Sequence, residues 1–238
     1  MRTPEDSVSY YFGEMIGAQF VQNFENLDST DLELIIYGID LALNTDINVT
    51  NLPNCIALAD MYIEWKDGLL NYNRDINQDI FINQLELILK KKYIVTSTNS
   101  FVDKVTNITT QLDEDKNADV STDSLTLYIT NIWGYEMVNA VQESDNPDMF
   151  NADFFIDNTA KFINLDNDSR NLFKTSFRIG TEFRVIIKKV TSEGVTMNTD
   201  ILLAQLEHTI ESKDTTIDPD IRQIINQLAI NIAVKLEN

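Results

Sequence analysis

Punctuation is what this sequence lacks. Its 238 residues include only 7 glycines and 4 prolines, fewer than half the usual frequency. Sandwiches, barrels and glycine-looped α/β folds need many tight turns, and those turns draw heavily on these two residues. So few breakers leave room for long helices joined by short polar connections. The apolar residues recur at the helical period rather than alternating. The sequence therefore reads as all-α, built from long amphipathic helices.

The periodicity predicts a first helix over 7–25, with Tyr10, Gly13, Ile16, Gly17, Phe20, Val21 and Phe24 on one stripe. A second runs over 29–44, after a turn in which Asp28, Ser29, Thr30 and Asp31 offer N-cap oxygens and acid for the helix start. A third begins near Thr50 or Asn51 with Pro53 in its first turn; Gly68 and Asn71-Tyr72-Asn73 weaken its end. Further helices are predicted over 75–93, 99–113, 125–143, 149–163 and 170–191, from Asn198 to about Ile210, and from Asp218 onward. The polar, unperiodic run 113–123 reads as the main linker. It divides the chain into an N-terminal helical domain, 1–112, and a C-terminal one, 124–238.

Glycine inside a helix is about 1 kcal/mol worse than alanine. Gly13, Gly17 and Gly38 therefore predict close helix crossings. Within the same stretch Ser9-Tyr10, Gly13, Ile16-Gly17, Leu27-Asp28, Gly38, Asp40 and Ala42-Leu43 occur in order. Together they resemble the N-terminal helical domain of FkpA- and Mip-type peptidyl-prolyl isomerases. That pattern reads roughly Ser-Tyr-x-x-Gly-x-x-Ile-Gly, a Leu-Asp turn, then Gly-x-x-Asp-Ala-Leu. The present chain differs by one residue of spacing in its second half, Gly-x-Asp-x-Ala-Leu. The resemblance implies a module that dimerises through interlocked helices and forms a cradle for unfolded clients. It also implies an exported bacterial protein, periplasmic or on the cell surface, although no signal peptide is visible in the sequence. In that family a β-rich catalytic domain follows the module. Residues 45–238 have helical periodicity and few glycines instead, so prolyl isomerase activity is expected to be missing.

The unit recurs in degenerate form. Gly17 falls on Gly134 and on Gly180, and Leu32–Leu43 falls on Ala152–Ile163 and on Asp200–Ile210. Gly38 is echoed by Gln205 and Asp40 by Glu207. Two or three copies are expected. The second and third are separated by only a short turn and so are placed to pack on each other, making within one chain the pairing that the family makes between chains.

The candidate functional residues are interfacial. Tyr10, Gly13, Gly17, Phe20, Phe24 and Gly38 form the expected helix-crossing interface, with core packing as the other reading of the aromatic rings. Asp113, Asp115, Asn117 and Asp119 have the alternating oxygens of a Ca²⁺ loop. However, Ala118 and Ser124 stand where such a loop needs a turn glycine and a bidentate glutamate, so a solvated linker is expected. His208, the one histidine, has no partner for a histidine-based metal site. Cys55, the one cysteine, cannot form an internal disulfide and reads as a buried structural thiol. No phosphate loop, nucleophile elbow or HExxH motif occurs.

The formal charge of −20, from 38 acidic and 18 basic residues, repels nucleic acid and anionic headgroups and favours cations or basic partners. No run is long and apolar enough to span a membrane. The expectation is a non-enzymatic protein-interaction or dimerisation module, chaperone-like, without cofactor, whose partner is another protein or a second copy of itself. The alternatives are a scaffold or adaptor, virulence-related, that binds one partner through its helix faces, a calcium-binding helical protein, and an enzyme with acids lining an interhelical cleft.

Overall fold

The structure, a computed structural model, describes residues 4–24, 26–44, 51–91, 97–143, 150–192 and 197–213. All the regular elements among them are helices: α1 (Pro4–Asn23), α2 (Ser29–Asn44), α3 (Asn51–Leu70), α4 (Gln78–Lys91), α5 (Asn99–Glu114), α6 (Thr122–Gln142), α7 (Ala152–Ile163), α8 (Asn167–Ser192) and α9 (Thr199–Ser212). The all-α reading holds. The last predicted helix, from Asp218, lies outside the described residues.

Side-chain oxygens start several of these helices. The Asp28 carboxylate accepts from the Thr30 and Asp31 amides, and Asp31 accepts back from the Asp28 amide. This reciprocal pair satisfies donors that a helix start leaves open. Ser121 caps α6 through the Ser124 amide. Asn151 caps α7 through the Phe154 amide. Asn198 caps α9 through the Asp200 and Ile201 amides.

The chain divides into two compact units, and neither is continuous with the expected domains. One is built from α1, α2, α8 and α9. The other is built from α3 to α7. The stretch 113–123 is therefore not a boundary: it lies inside the second unit, where it only turns the chain from α5 into α6. Arg74 donates to the Ala118 carbonyl at 2.7 Å, and Val120 is buried. A polar composition marked the turn correctly, but a turn separates domains only when the helices on either side face different cores.

In the first unit the close backbone approaches run between hairpins. α1 lies on α9, α2 lies on α8, and α2 also meets α9. The core is formed by Phe12, Ile16 and Phe20 from α1 and Ile35 and Ile39 from α2, with Leu172, Ile179 and Phe183 from α8 and Leu202, Leu206 and Ile210 from α9. The Phe12 and Phe183 rings meet edge to face with centroids 5.3 Å apart.

The second unit repeats that plan. α3 lies on α7, α4 lies on α6, and α4 also meets α7, while α5 packs on α6 as an addition. Its core includes Tyr62, Phe81, Leu85, Ile88, Ile129, Phe155 and Phe162. Among the described residues there are therefore four helical hairpins, α1–α2, α3–α4, α6–α7 and α8–α9, paired first with fourth and second with third. Two expectations are corrected. Among the described residues four hairpins follow this plan where two or three copies were expected, and the second and third expected copies, α6–α7 and α8–α9, belong to different units. The copy that the sequence hid is α3–α4, where Cys55 and Ala59 stand four apart in place of the glycines; both are fully buried.

Candidate functional site

The glycines of the expected interface meet helices of the same chain, Gly13 and Gly17 on α9 and Gly38 on α8. A methyl group at Gly13 would sit 2.2 Å from the Leu202 carbonyl oxygen and 3.0 Å from the Gln205 Cβ. One at Gly17 would sit 2.7 Å from the Thr209 Cβ. α1 therefore meets α9 at near backbone contact along one row. Ser9 extends that row by one turn: it is fully buried, and its hydroxyl accepts from the Asn198 amide at 2.7 Å.

The other half of the pair mirrors this arrangement. A methyl at Gly38 would meet the Ser176 Cβ at 2.9 Å, and one at Gly180 would meet the Ala42 Cβ at 2.6 Å. Gly13 and Gly17 facing Gln205 and Thr209 thus correspond to Ser176 and Gly180 facing Gly38 and Ala42. This is the register in which Gly17 matches Gly180 and Gly38 matches Gln205. In the second unit a methyl at Gly134 would meet the Ile88 Cδ1 at 2.9 Å. On the opposite crossing, the Cys55 thiol donates to the Phe155 carbonyl at 3.6 Å. Small residues let helices approach this closely because a larger side chain would hold the axes apart.

The aromatic residues of the first helix divide by role. Phe20 is buried and stacks on Phe24 with centroids 5.9 Å apart. Tyr10 is half-buried and meets Tyr11 edge to face. Phe12, which is not on the predicted stripe, is the core residue there. α1 buries two neighbouring rows, one against α9 and one in the core, so a single-stripe reading saw only part of it.

The acidic loop uses its oxygens on the protein. Asp113 accepts from the Tyr72 hydroxyl, and Asp115 accepts from the Asn117 amide at 2.9 Å. Asp113, Asp115, Asn117 and Asp119 are all exposed. Among the described residues no group of three or more His, Cys, Asp or Glu side chains is arranged to hold a metal ion. His208 is exposed on α9, and Cys55 is buried at a crossing. Burial pushes the Cys55 thiol up to about 12, which keeps it protonated and unreactive. No described helix is long and apolar enough to cross a membrane.

One concave feature among the described residues of the second unit is a groove of about 500 Å³ along the C-terminal half of α3. Met61, Glu64, Trp65, Gly68 and Leu69 of α3 line it together with Asn71, Tyr72 and Thr109. These α3 positions follow the i, i+3, i+4, i+7, i+8 spacing of one helix face. Trp65 is half-buried there. Gly68 differs from the crossing glycines: nothing lies within 4 Å of where its methyl would be.

No family model, no curated protein and no solved structure matches this chain.

Proposed function

We propose that this protein is a non-catalytic interaction scaffold that works as a single chain, binding a protein partner through helix faces left outside its two cores. One observation carries the reading: the small-residue crossings at Gly13, Gly17, Gly38 and Gly180 are filled by α8, α9 and α2 of the same chain. Surfaces that would join two copies of an isolated hairpin are occupied within the molecule. The stretch from Ser9 to Leu43 resembles the interlocked dimerisation module of FkpA- and Mip-type isomerases, and the pairing of α1–α2 with α8–α9 is a one-chain counterpart of that assembly. The same resemblance supports a place in the bacterial periplasm or at the cell surface. It favours a specific adaptor over a dimerising chaperone, because the dimer seam is already occupied.

Light scattering behind a sizing column tests this. The expected mass is that of one 27.2 kDa chain. Gly17→Leu should destabilise the protein without changing that mass. A mass about twice as large in the parent protein would overturn the single-chain reading.

A further inference from the structure

We propose that the groove on α3 receives an apolar side chain from a basic segment of a protein partner, seated over Gly68 beside Trp65. The proposal rests on the scaffold reading and adds to it a surface and a partner chemistry.

Gly68 carries the argument. A glycine in a helix costs about 1 kcal/mol relative to alanine. At Gly13, Gly17, Gly38 and Gly180 a packed neighbour requires the small residue. At Gly68 the space above the Cα is empty, yet it opens directly onto the groove. The missing side chain leaves room in a lining where Met61, Trp65, Leu69 and Tyr72 stand beside Glu64 and Asn71. Met61 is 39% exposed in that lining, and Leu70, the next residue after Leu69, is 52% exposed. A volume of about 500 Å³ falls in the range of ligand-sized pockets, and helix-in-groove recognition uses anchors of this kind.

Charge selects the partner. Asp60, Glu64 and Asp67 stand on α3 at i, i+4 and i+7, a row beside the apolar stripe. The nearby cations are engaged: Lys66 lies 3.9 Å from Asp75, and the Lys116 ammonium sits 5.9 Å from the Tyr72 ring centre. With a net charge of −20, the protein attracts a basic segment from a distance and repels an acidic one. The acidic row then places the cations while the groove takes the anchor.

The test is the emission of Trp65 in the full chain titrated with a designed amphipathic peptide of leucine and lysine. The same peptide with glutamate for lysine is the control. The other tryptophan, Trp133, is buried, and Trp65→Phe identifies its background. A saturable blue shift with the lysine peptide alone is expected. Gly68→Leu fills the groove and should weaken binding about tenfold or more, equivalent to about 1.4 kcal/mol, while its melting temperature stays at or above the parent's. Gly68→Ala, a smaller filling, provides a second folded variant with a partial loss. Equal binding by parent and Gly68→Leu would mean that the peptide only coats an acidic surface, and would overturn the proposal. So would an unchanged Trp65 signal, or equal binding of the glutamate peptide. A monomer that fails this test loses the groove but keeps the scaffold reading; a dimer loses the scaffold reading whatever the groove does.

Discussion

Glycine has three different meanings in this chain, and substitution separates them. At Gly13 the nearest neighbour is a backbone oxygen that cannot move aside. Gly13→Ala should therefore cost about 1–3 kcal/mol of overpacking, only partly offset by the better helix propensity, and urea unfolding would measure it. At Gly134 the nearest atom is the tip of the Ile88 side chain, which can turn to another rotamer, so Gly134→Ala should be close to neutral. At Gly68 nothing opposes a methyl, and Gly68→Ala should stabilise by about 1 kcal/mol, a rise of a few degrees in melting temperature. The sequence told all of these residues to be helical. It could not say which had a neighbour, because that depends on residues far away in the chain. Cys55 adds a pH dependence. Its folded value of about 12 lies above an ordinary value of 9.0, so the unfolded chain releases the proton first. Stability is intact below pH 9 and falls as pH rises toward 12, by up to about 1.4 kcal/mol per pH unit. Cys55→Ala should remove that part of the alkaline slope in urea midpoints measured between pH 8 and 10.5.

At the scale of elements, caps were the most legible feature. Asp28 stood among the four cap candidates of its turn and Asn198 at the predicted helix start, because a cap bonds only within its own turn. The crossing partners were not legible, since a helix face does not name the face it meets. Asn198 belongs to both kinds of feature: its side chain starts α9, and its amide bonds to Ser9 on α1. Asn198→Ala should cost about 1 kcal/mol as a lost cap. Ser9→Ala should cost about 1–3 kcal/mol by leaving a half-buried amide unpaired. The two changes share one junction, so their sum should depart from the double variant, which a double-mutant cycle in urea would measure. The α3–α4 hairpin escaped the repeat search because Cys55 and Ala59 are as small as the crossing requires without being glycine. A search for small residues four apart, rather than for glycines, would have found it.

At the scale of the whole molecule, the sequence suggested two domains in series, whereas along the chain one unit interrupts the other. Linear composition marks turns but does not show which turns separate cores. Because α3 to α7 have a core of their own, residues 46–166 produced alone should be helical by circular dichroism and unfold cooperatively in urea. A fragment with a broad, non-cooperative transition would show that this unit needs the rest of the chain. The pairing of first hairpin with fourth and second with third has a consequence for biosynthesis. The hairpins close like nested brackets, the inner pair before the outer. At roughly 5–20 residues per second, α1–α2 leaves the ribosome long before α8–α9 is made. While everything between residue 45 and residue 212 is translated, roughly 8 to 34 s at those rates, the apolar rows through Gly13, Gly17 and Gly38 have no partner. The beginning of this chain is therefore the last part able to fold, and its greatest exposure to aggregation comes before its own last helices exist.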